Sequence, residues 1–264
     1  MTAPMTASQP NPTASYARFE DEHWWYIGRR QVVGAIAERL VPPGEGRLAV
    51  DIGCGPGANI AALSDRYRCF GVDTAPAAIE FAEERFPQVR FACGVAPDVL
   101  GAAAGEADLI VIMDVFEHVA QDRAMLTAIV DAAKPGAHFI ITVPAEPSLW
   151  SPHDDAVGHL RRYTKTTLAA LWRGLPLEPL VVSAYNARLY PLVKTVRTVG
   201  RRRGRAHGDG AAEGTDLRLP PAPVNRALAA LFGGESKRLI AALEGRRTPY
   251  SRGVSLIAAL RLTA

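Results

Sequence analysis

The chain has 264 residues, 22% of them charged and 48% apolar, with a formal net charge of +3. That composition fits one α/β domain with additions and excludes wholesale disorder, and no stretch approaches the roughly 18 uninterrupted apolar residues of a membrane-crossing helix. A net charge this small gives no argument for a nucleic-acid partner, and none is expected.

Residues 1–15, rich in Thr, Ala, Pro and Ser, lack the charged and apolar blocks of a secretory signal and read as a loose tail of a cytoplasmic protein. One domain is expected over residues 16–264, and residues 16–44 read as an N-terminal helix carrying Phe19-Glu20-Asp21-Glu22-His23-Trp24-Trp25-Tyr26-Ile27-Gly28-Arg29-Arg30. Adjacent tryptophans on a helix cannot share one core, so one of Trp24 and Trp25 should pack on the sheet while the other, or Tyr26, lines a cleft. His23, Tyr26 and Arg30 are then placed to reach a pocket below.

Next, the apolar run Leu48-Ala49-Val50 leads into Asp51-Ile52-Gly53-Cys54-Gly55-Pro56-Gly57, a buried strand ending in a backbone-exposed turn. Glycines at alternate positions leave no Cβ between main chain and ligand, and the following helix offers free N–H groups. Gly53-x-Gly55-x-x-Ala58 also satisfies a relaxed dinucleotide fingerprint, so the turn alone leaves the cofactor open. Cys69 to Asp73 reads as a second strand whose terminal acid lies where a ribose-binding carboxylate belongs. Thr74 to Phe86 reads as a helix, with Thr and Pro at its cap and first turn. Val89 to Gly94 and Asp108 to Asp114 follow as strands, and the strand-helix repeat predicts a parallel sheet flanked by helices.

Asp51-x-Gly53-x-Gly55-x-Gly57, the acid Asp73 and the run Asp114-Val115-Phe116-Glu117-His118-Val119 together resemble the class I S-adenosylmethionine-dependent methyltransferases, over roughly residues 45–185. The resemblance implies a Rossmann-like, seven-stranded, mostly parallel sheet with S-adenosyl-L-methionine as cofactor. Gly53, Gly55 and Gly57 would border its methionine part, Asp51 would face its amino group, and Asp73 would hold the ribose hydroxyls. Thr74 and Val95 would flank the adenine, and Asp114 and His118 would complete the wall. The chain departs from the family after the third strand, where Cys93-Gly94-Val95-Ala96 carries no acid and leaves the adenine to backbone groups or to Asp98.

After a predicted fifth strand, His138 to Val143, comes a long connection dense in Trp, His, Asp, Arg and Tyr, which marks it as a functional loop. Its Trp150-x-x-His153-Asp154 and Gly158-His159-x-Arg161-Arg162-Tyr163 resemble a bacterial methyltransferase subgroup with varied acceptors. His153 or His159 is the expected general base, Asp154 or Asp155 would orient it or bind a substrate amine, and Tyr163 joins the catalytic candidates. Trp24, Trp25, Tyr26, Arg30, Trp150, Arg161 and Arg162 are the expected substrate contacts. The arginines would hold a carboxylate or phosphate, or else pair with Asp154 or Glu146 and fix the loop. His153, Asp154 and His159 lack a compelling metal-ligand spacing, so no metal is expected. Cys54, Cys69 and Cys93 show no CxxC spacing and read as buried reduced thiols.

Residues 186–250 read as a helical insert, with amphipathic stretches at Ala187 to Val199, Val224 to Phe232 and Ser236 to Leu243 and a flexible linker at 204–223, before a last strand within 251–264. The expected reaction is methyl transfer to oxygen or nitrogen of a small-molecule, peptide or glycan-type acceptor in a biosynthetic pathway. The alternatives are a lipid-linked substrate reached through peripheral membrane contact at Ala187 to Arg205, a non-catalytic binding protein on the same fold, and a nicotinamide dehydrogenase.

Overall fold

The computed structural model describes residues 12–202 and 219–263, so most of the expected tail and of the expected linker lies outside the described residues. In chain order the elements are α1 (Pro12–Glu22), α2 (Trp24–Leu40), β1 (Leu48–Ile52), α3 (Ala58–Ala61), β2 (Arg68–Asp73), α4 (Pro76–Arg85), β3 (Arg90–Cys93) and α5 (Ala102–Glu106). Then follow β4 (Leu109–Met113), α6 (Asp122–Ala132), β5 (His138–Pro144), α7 (Pro152–Ala156), α8 (Lys165–Ala169), β6 (Leu177–Tyr185), α9 (Tyr190–Arg202), α10 (Ala222–Gly233), α11 (Ser236–Leu243) and β7 (Ser255–Leu262).

The seven strands form one sheet in the order β3-β2-β1-β4-β5-β7-β6. β1 to β5 pair in parallel, and β7 runs antiparallel between β5 and β6. Every residue of β1 and β4 is buried, as expected of central parallel strands covered on both faces. One face is packed by Leu126, Ile129 and Val130 of α6, Leu168 of α8 and the alanines of α5. The other is packed by Val32, Val33 and Ile36 of α2, Ile79 of α4, Phe232 of α10 and Leu239 of α11. The order of pairing reverses between β1 and β4, so a crevice opens above their carboxyl ends, where open α/β sheets bind ligands.

Several expectations are corrected. The N-terminal segment is two helices, because Asn225 of α10 seizes the break between them, accepting from the Trp24 N–H (2.9 Å) and donating to the Glu22 carbonyl (2.6 Å). Trp24 packs edge-on to Phe232 of the insert, and Trp25 meets Tyr26 edge-to-face at 4.9 Å, with both tryptophans half-buried against the core on this face. α4 starts one residue later than the Thr-Pro reading, because Asp73 Oδ1 accepts from the Ala75 N–H and ends the strand. Cys54 and Cys69 are buried, whereas Cys93, at the end of edge strand β3, is exposed.

α2 and α10 meet closely because Gly28 has no side chain. A Cβ there would overlap the ring of Phe232, which is fully buried and has no room to yield. Gly28→Ala is expected to destabilise the protein by about 1–3 kcal/mol of overpacking, of which the better helix propensity of Ala recovers only about 1 kcal/mol. Thermal unfolding checks this, and Gly34→Ala on the same helix, where the nearest atom is 4.0 Å away, should leave the melting temperature unchanged or raise it.

Candidate cofactor and acceptor site

The turn after β1 is built on backbone conformations that side chains resist. Gly53 has φ 78° and Gly55 φ 53°, in the left-handed region. A Cβ at Gly53 would collide with Val115, whereas one at Gly55 would meet nothing within 4 Å, so the main chain there borders open space. The Gly53 and Cys54 N–H groups both donate to the Val72 carbonyl, at 2.7 and 3.0 Å, which locks the turn to β2. Asp73 at the end of β2 accepts from the Gly55 N–H (2.9 Å) through Oδ2 and from Ala75 through Oδ1. Each carboxylate oxygen keeps a further lone pair for a ligand hydroxyl. Thr74 and Val95 lie exposed near this edge, Val95 with 60% of its surface open.

Beneath the turn lies an arrangement that α/β packing alone does not explain. Asp51 is buried and neither of its carboxylate oxygens has a hydrogen-bond partner. Glu20 of α1, to which the sequence analysis assigned no role, is also buried; it takes one bond from Asn59 Nδ2 (3.4 Å) and leaves Oε2 unpartnered. Ala17, Glu20 and His23, spaced three residues apart, are all buried. Burial raises Asp51 to about 8, reinforced by the charges of Glu20 and Asp73 and opposed by Arg29. It raises Glu20 to about 7, against Arg29, Arg30 and Arg85. A cavity of about 340 Å³ between α2, α3 and the sheet is lined by Asp51, Asn59, Arg30, Val111 and Met113. Two adjoining buried acids with idle oxygens form a receptor for a small cation.

At the end of β4, Asp114 adopts φ 55° and pairs with Arg29, whose guanidinium lies 4.5 Å from the centre of the Trp25 ring. Arg29 was not among the residues singled out by sequence. It ties the second helix to the strand end and fixes Trp25 and Tyr26 over the crevice, where Tyr26 is buried and Trp25 half-buried. Arg30 donates to the Glu20 carbonyl and holds α1 in place.

The loop after β5 is a polar network. Ser151 and Asp154 form a capping box that starts α7, and fully buried Asp154 takes two bonds from Arg162, Nε at 2.7 Å and Nη2 at 3.0 Å. Asp154 also bonds His159 Nδ1 at 2.8 Å. The His159 and Arg162 hydrogen bonds hold the Asp154 carboxyl far below its ordinary value, although burial opposes them. Arg161 reaches Asp122 (2.6 Å) and the Ala120 carbonyl, and the buried Tyr163 hydroxyl bonds Asp122 at 2.7 Å. The structure thus uses Arg161, Arg162 and Tyr163 to fix the loop, Arg162 to Asp154 within it and Arg161 and Tyr163 to Asp122 of α6, and brings His118, His153 and His159 together at the rim. The His118 and His159 ring centres are 4.8 Å apart and those of His153 and His159 6.3 Å. Trp150 is half-buried and donates to Asp155 (3.1 Å).

Residues 50–141 match the family described as "Methyltransferase domain". Over 144 residues the chain is 33% identical to trans-aconitate 2-methyltransferase of Methylobacterium radiotolerans, covering 52% of each. Over 149 residues it is 30% identical to the Agrobacterium fabrum enzyme of the same name, covering 54% of this chain and 55% of that one. The chain thus spans about half the length of the curated relatives it matches. In fold it is similar to the plantazolicin methyltransferase BamL, solved with a triazolic desmethyl-plantazolicin analogue and SAH, with TM-score 0.56 and 14% identity over 97% of this chain and 92% of that one. The domain match, the sheet order and the glycine turn with its flanking acids agree: residues 50–141 carry a methyltransferase domain, set in the seven-stranded sheet of the class I S-adenosylmethionine-dependent methyltransferase fold.

Proposed function

We propose that the protein transfers the methyl group of S-adenosylmethionine to an oxygen of a small anionic acceptor, with carboxylic acids as the preferred class. The observation that carries the cofactor half is the pair of buried, under-bonded acids beside the glycine turn. In this reading Asp51 and Glu20 together receive the α-ammonium group of the cofactor, Gly53 and Gly55 border its methionine chain, and Asp73 receives the ribose hydroxyls. The cofactor supplies an activated methyl group, and the protein supplies alignment and exclusion of water.

The acceptor half rests on the relatives named for methylating trans-aconitate and on charge. Beyond the carboxyl end of β6, a cavity of about 590 Å³ is lined by Arg188, Lys237, Arg238, Arg246, Arg247 and Tyr250. Such a surface attracts a polyanion to the acceptor edge of the sheet. A carboxylate is already ionised near neutral pH and needs no base, whereas a hydroxyl or ammonium acceptor would call on His153 or His159.

A second reading, a lipid-linked acceptor at a membrane surface, is favoured by one observation. Leu192, Val196 and Val199 of α9 and Val224 and Leu231 of α10 are exposed, with Leu192 59% open. No helix among the described residues is long and apolar enough to cross a membrane, so the contact would be peripheral.

Titration calorimetry tests the cofactor reading. S-adenosylhomocysteine should bind more tightly at pH 8 than at pH 6 and release protons, since the ammonium selects the ionised forms of Glu20 and Asp51. The free protein should lose stability as pH rises from about 4 to about 8, because the unfolded chain gives up these protons first, and the cofactor should remove that loss. Glu20→Gln should weaken S-adenosylhomocysteine about tenfold while leaving methylthioadenosine, which lacks the amino-acid part, unaffected. Equal weakening of both ligands would refute the ammonium contact.

For the acceptor, release of S-adenosylhomocysteine should be greatest with di- and tricarboxylic acids, and Lys237→Ala combined with Arg247→Ala should raise KM about tenfold with kcat unchanged. Turnover of amines or neutral alcohols alone would overturn the carboxylate assignment. Co-sedimentation with anionic vesicles at low salt, lost on Leu192→Ser with Val196→Ser, would establish the membrane reading; absence of binding would remove it.

A further inference from the structure

Glu117 is the most heavily buried unpaired acid that the cofactor reading does not use. Phe116, fully buried in the core, anchors the single 3-10 turn Phe116–His118 and turns the Glu117 side chain inward, where it is 0% exposed and neither carboxylate oxygen has a hydrogen-bond partner. The Leu160 N–H donates to the Glu117 carbonyl at 2.7 Å, which brings the loop after β5 directly over it. His159 presents Nε2 to Glu117 Oε1 at 3.9 Å, beyond hydrogen-bond range. His118, on the exposed side of the same turn, packs its ring against that of His159.

Three ligand atoms, one each from Glu117, His118 and His159, lie within 4.8 Å of one another. The His159 imidazole is also held from behind. His159 Nδ1 bonds Asp154, whose carboxylate is fixed by Arg162 and Ser151, so the proton sits on Nδ1 and the Nε2 lone pair faces Glu117. A ligating histidine backed by a carboxylate or a main-chain group is the usual outer support of a protein metal site.

We propose that Glu117, His118 and His159 form a binding site for a divalent transition-metal ion of the zinc class. Two imidazoles and one carboxylate suit such an ion, and bonds of about 2.0–2.2 Å are reached by drawing the three atoms inward by side-chain rotation. The metal gives the idle Glu117 oxygens the partner they lack. Three protein ligands leave a fourth position open on the exposed His118 side, for water or for an acceptor oxygen at the rim of the crevice. The inference does not depend on the identity of the methyl acceptor, nor on cofactor binding.

The test uses the full chain in a Cys93→Ser background, which removes the exposed thiol found among the described residues. After chelator treatment and equilibrium dialysis against micromolar zinc, one ion per chain should be retained and the melting temperature should rise. Cobalt substituted for zinc should give visible d–d absorption of a nitrogen- and oxygen-ligated ion. Glu117→Gln and His118→Ala should each lower zinc affinity at least tenfold. Metal-free Glu117→Gln should be about as stable as the parent, since the amide replaces a carboxyl group of the same shape whose oxygens already lack hydrogen-bond partners, which separates loss of the site from failure to fold. Retention of less than a tenth of an ion per chain by the parent, or undiminished binding by both variants, would overturn the proposal.

Discussion

Under-bonded acids buried at the carboxyl edge of the sheet are the constraint around which the rest of the molecule is arranged. Asp51, Glu20, Asp114 and Glu117 crowd the ends of β1 and β4, and Arg29 is the buried cation set among them. Packing against apolar side chains would favour replacing such groups, because burying a carboxylate without a partner costs several kcal/mol. Their presence makes sense where a cationic ligand completes the site. The N-terminal helices, the glycine turn and the loop after β5 all bring oxygen atoms to that edge and leave some of them idle.

The same constraint explains why helices far apart in sequence are clamped together. Glu20 is carried by α1, and α1 is held through Arg30 to the Glu20 carbonyl, through Arg85 to Asp21, and through Asn225, which grips the α1–α2 junction from the insert. The insert thus takes part in shaping the cofactor pocket as well as covering the sheet. Trp24 against Phe232, with Gly28 allowing the helices to approach, is the apolar half of that clamp.

Much of this was legible in the residues. Apolar runs ending in glycine or acid marked the strands near β1, β2, β3 and β4, the run His138 to Val143 marked β5, and Ser236 to Leu243 emerges as α11 with those bounds. Strand β6 was not singled out, because Glu178 and Pro179 interrupt its apolar pattern at an edge where pairing on one side suffices. The positions of Asp51, Gly53, Gly55 and Asp73 follow from local spacing. Glu20, Arg29 and Glu117 could not be found that way, since their burial depends on contacts across about 30 to 200 positions of chain, as between Arg29 and Asp114 or Trp24 and Asn225. Within the loop after β5, the chemistry of Asp154, His159, Arg161, Arg162 and Tyr163 was visible, but which partners satisfy one another was not, because an arginine that holds a ligand and one that holds a loop look alike in sequence.

The central claim is that the idle acids beneath the glycine turn receive the ammonium group of the cofactor. A crystal structure with S-adenosylhomocysteine bound tests this most directly. The account predicts the α-ammonium nitrogen within hydrogen-bond distance of both Asp51 and Glu20, with the ribose on Asp73. A bound ligand whose amino group faces solvent or main-chain carbonyls, with Asp51 and Glu20 still unpartnered, would contradict it.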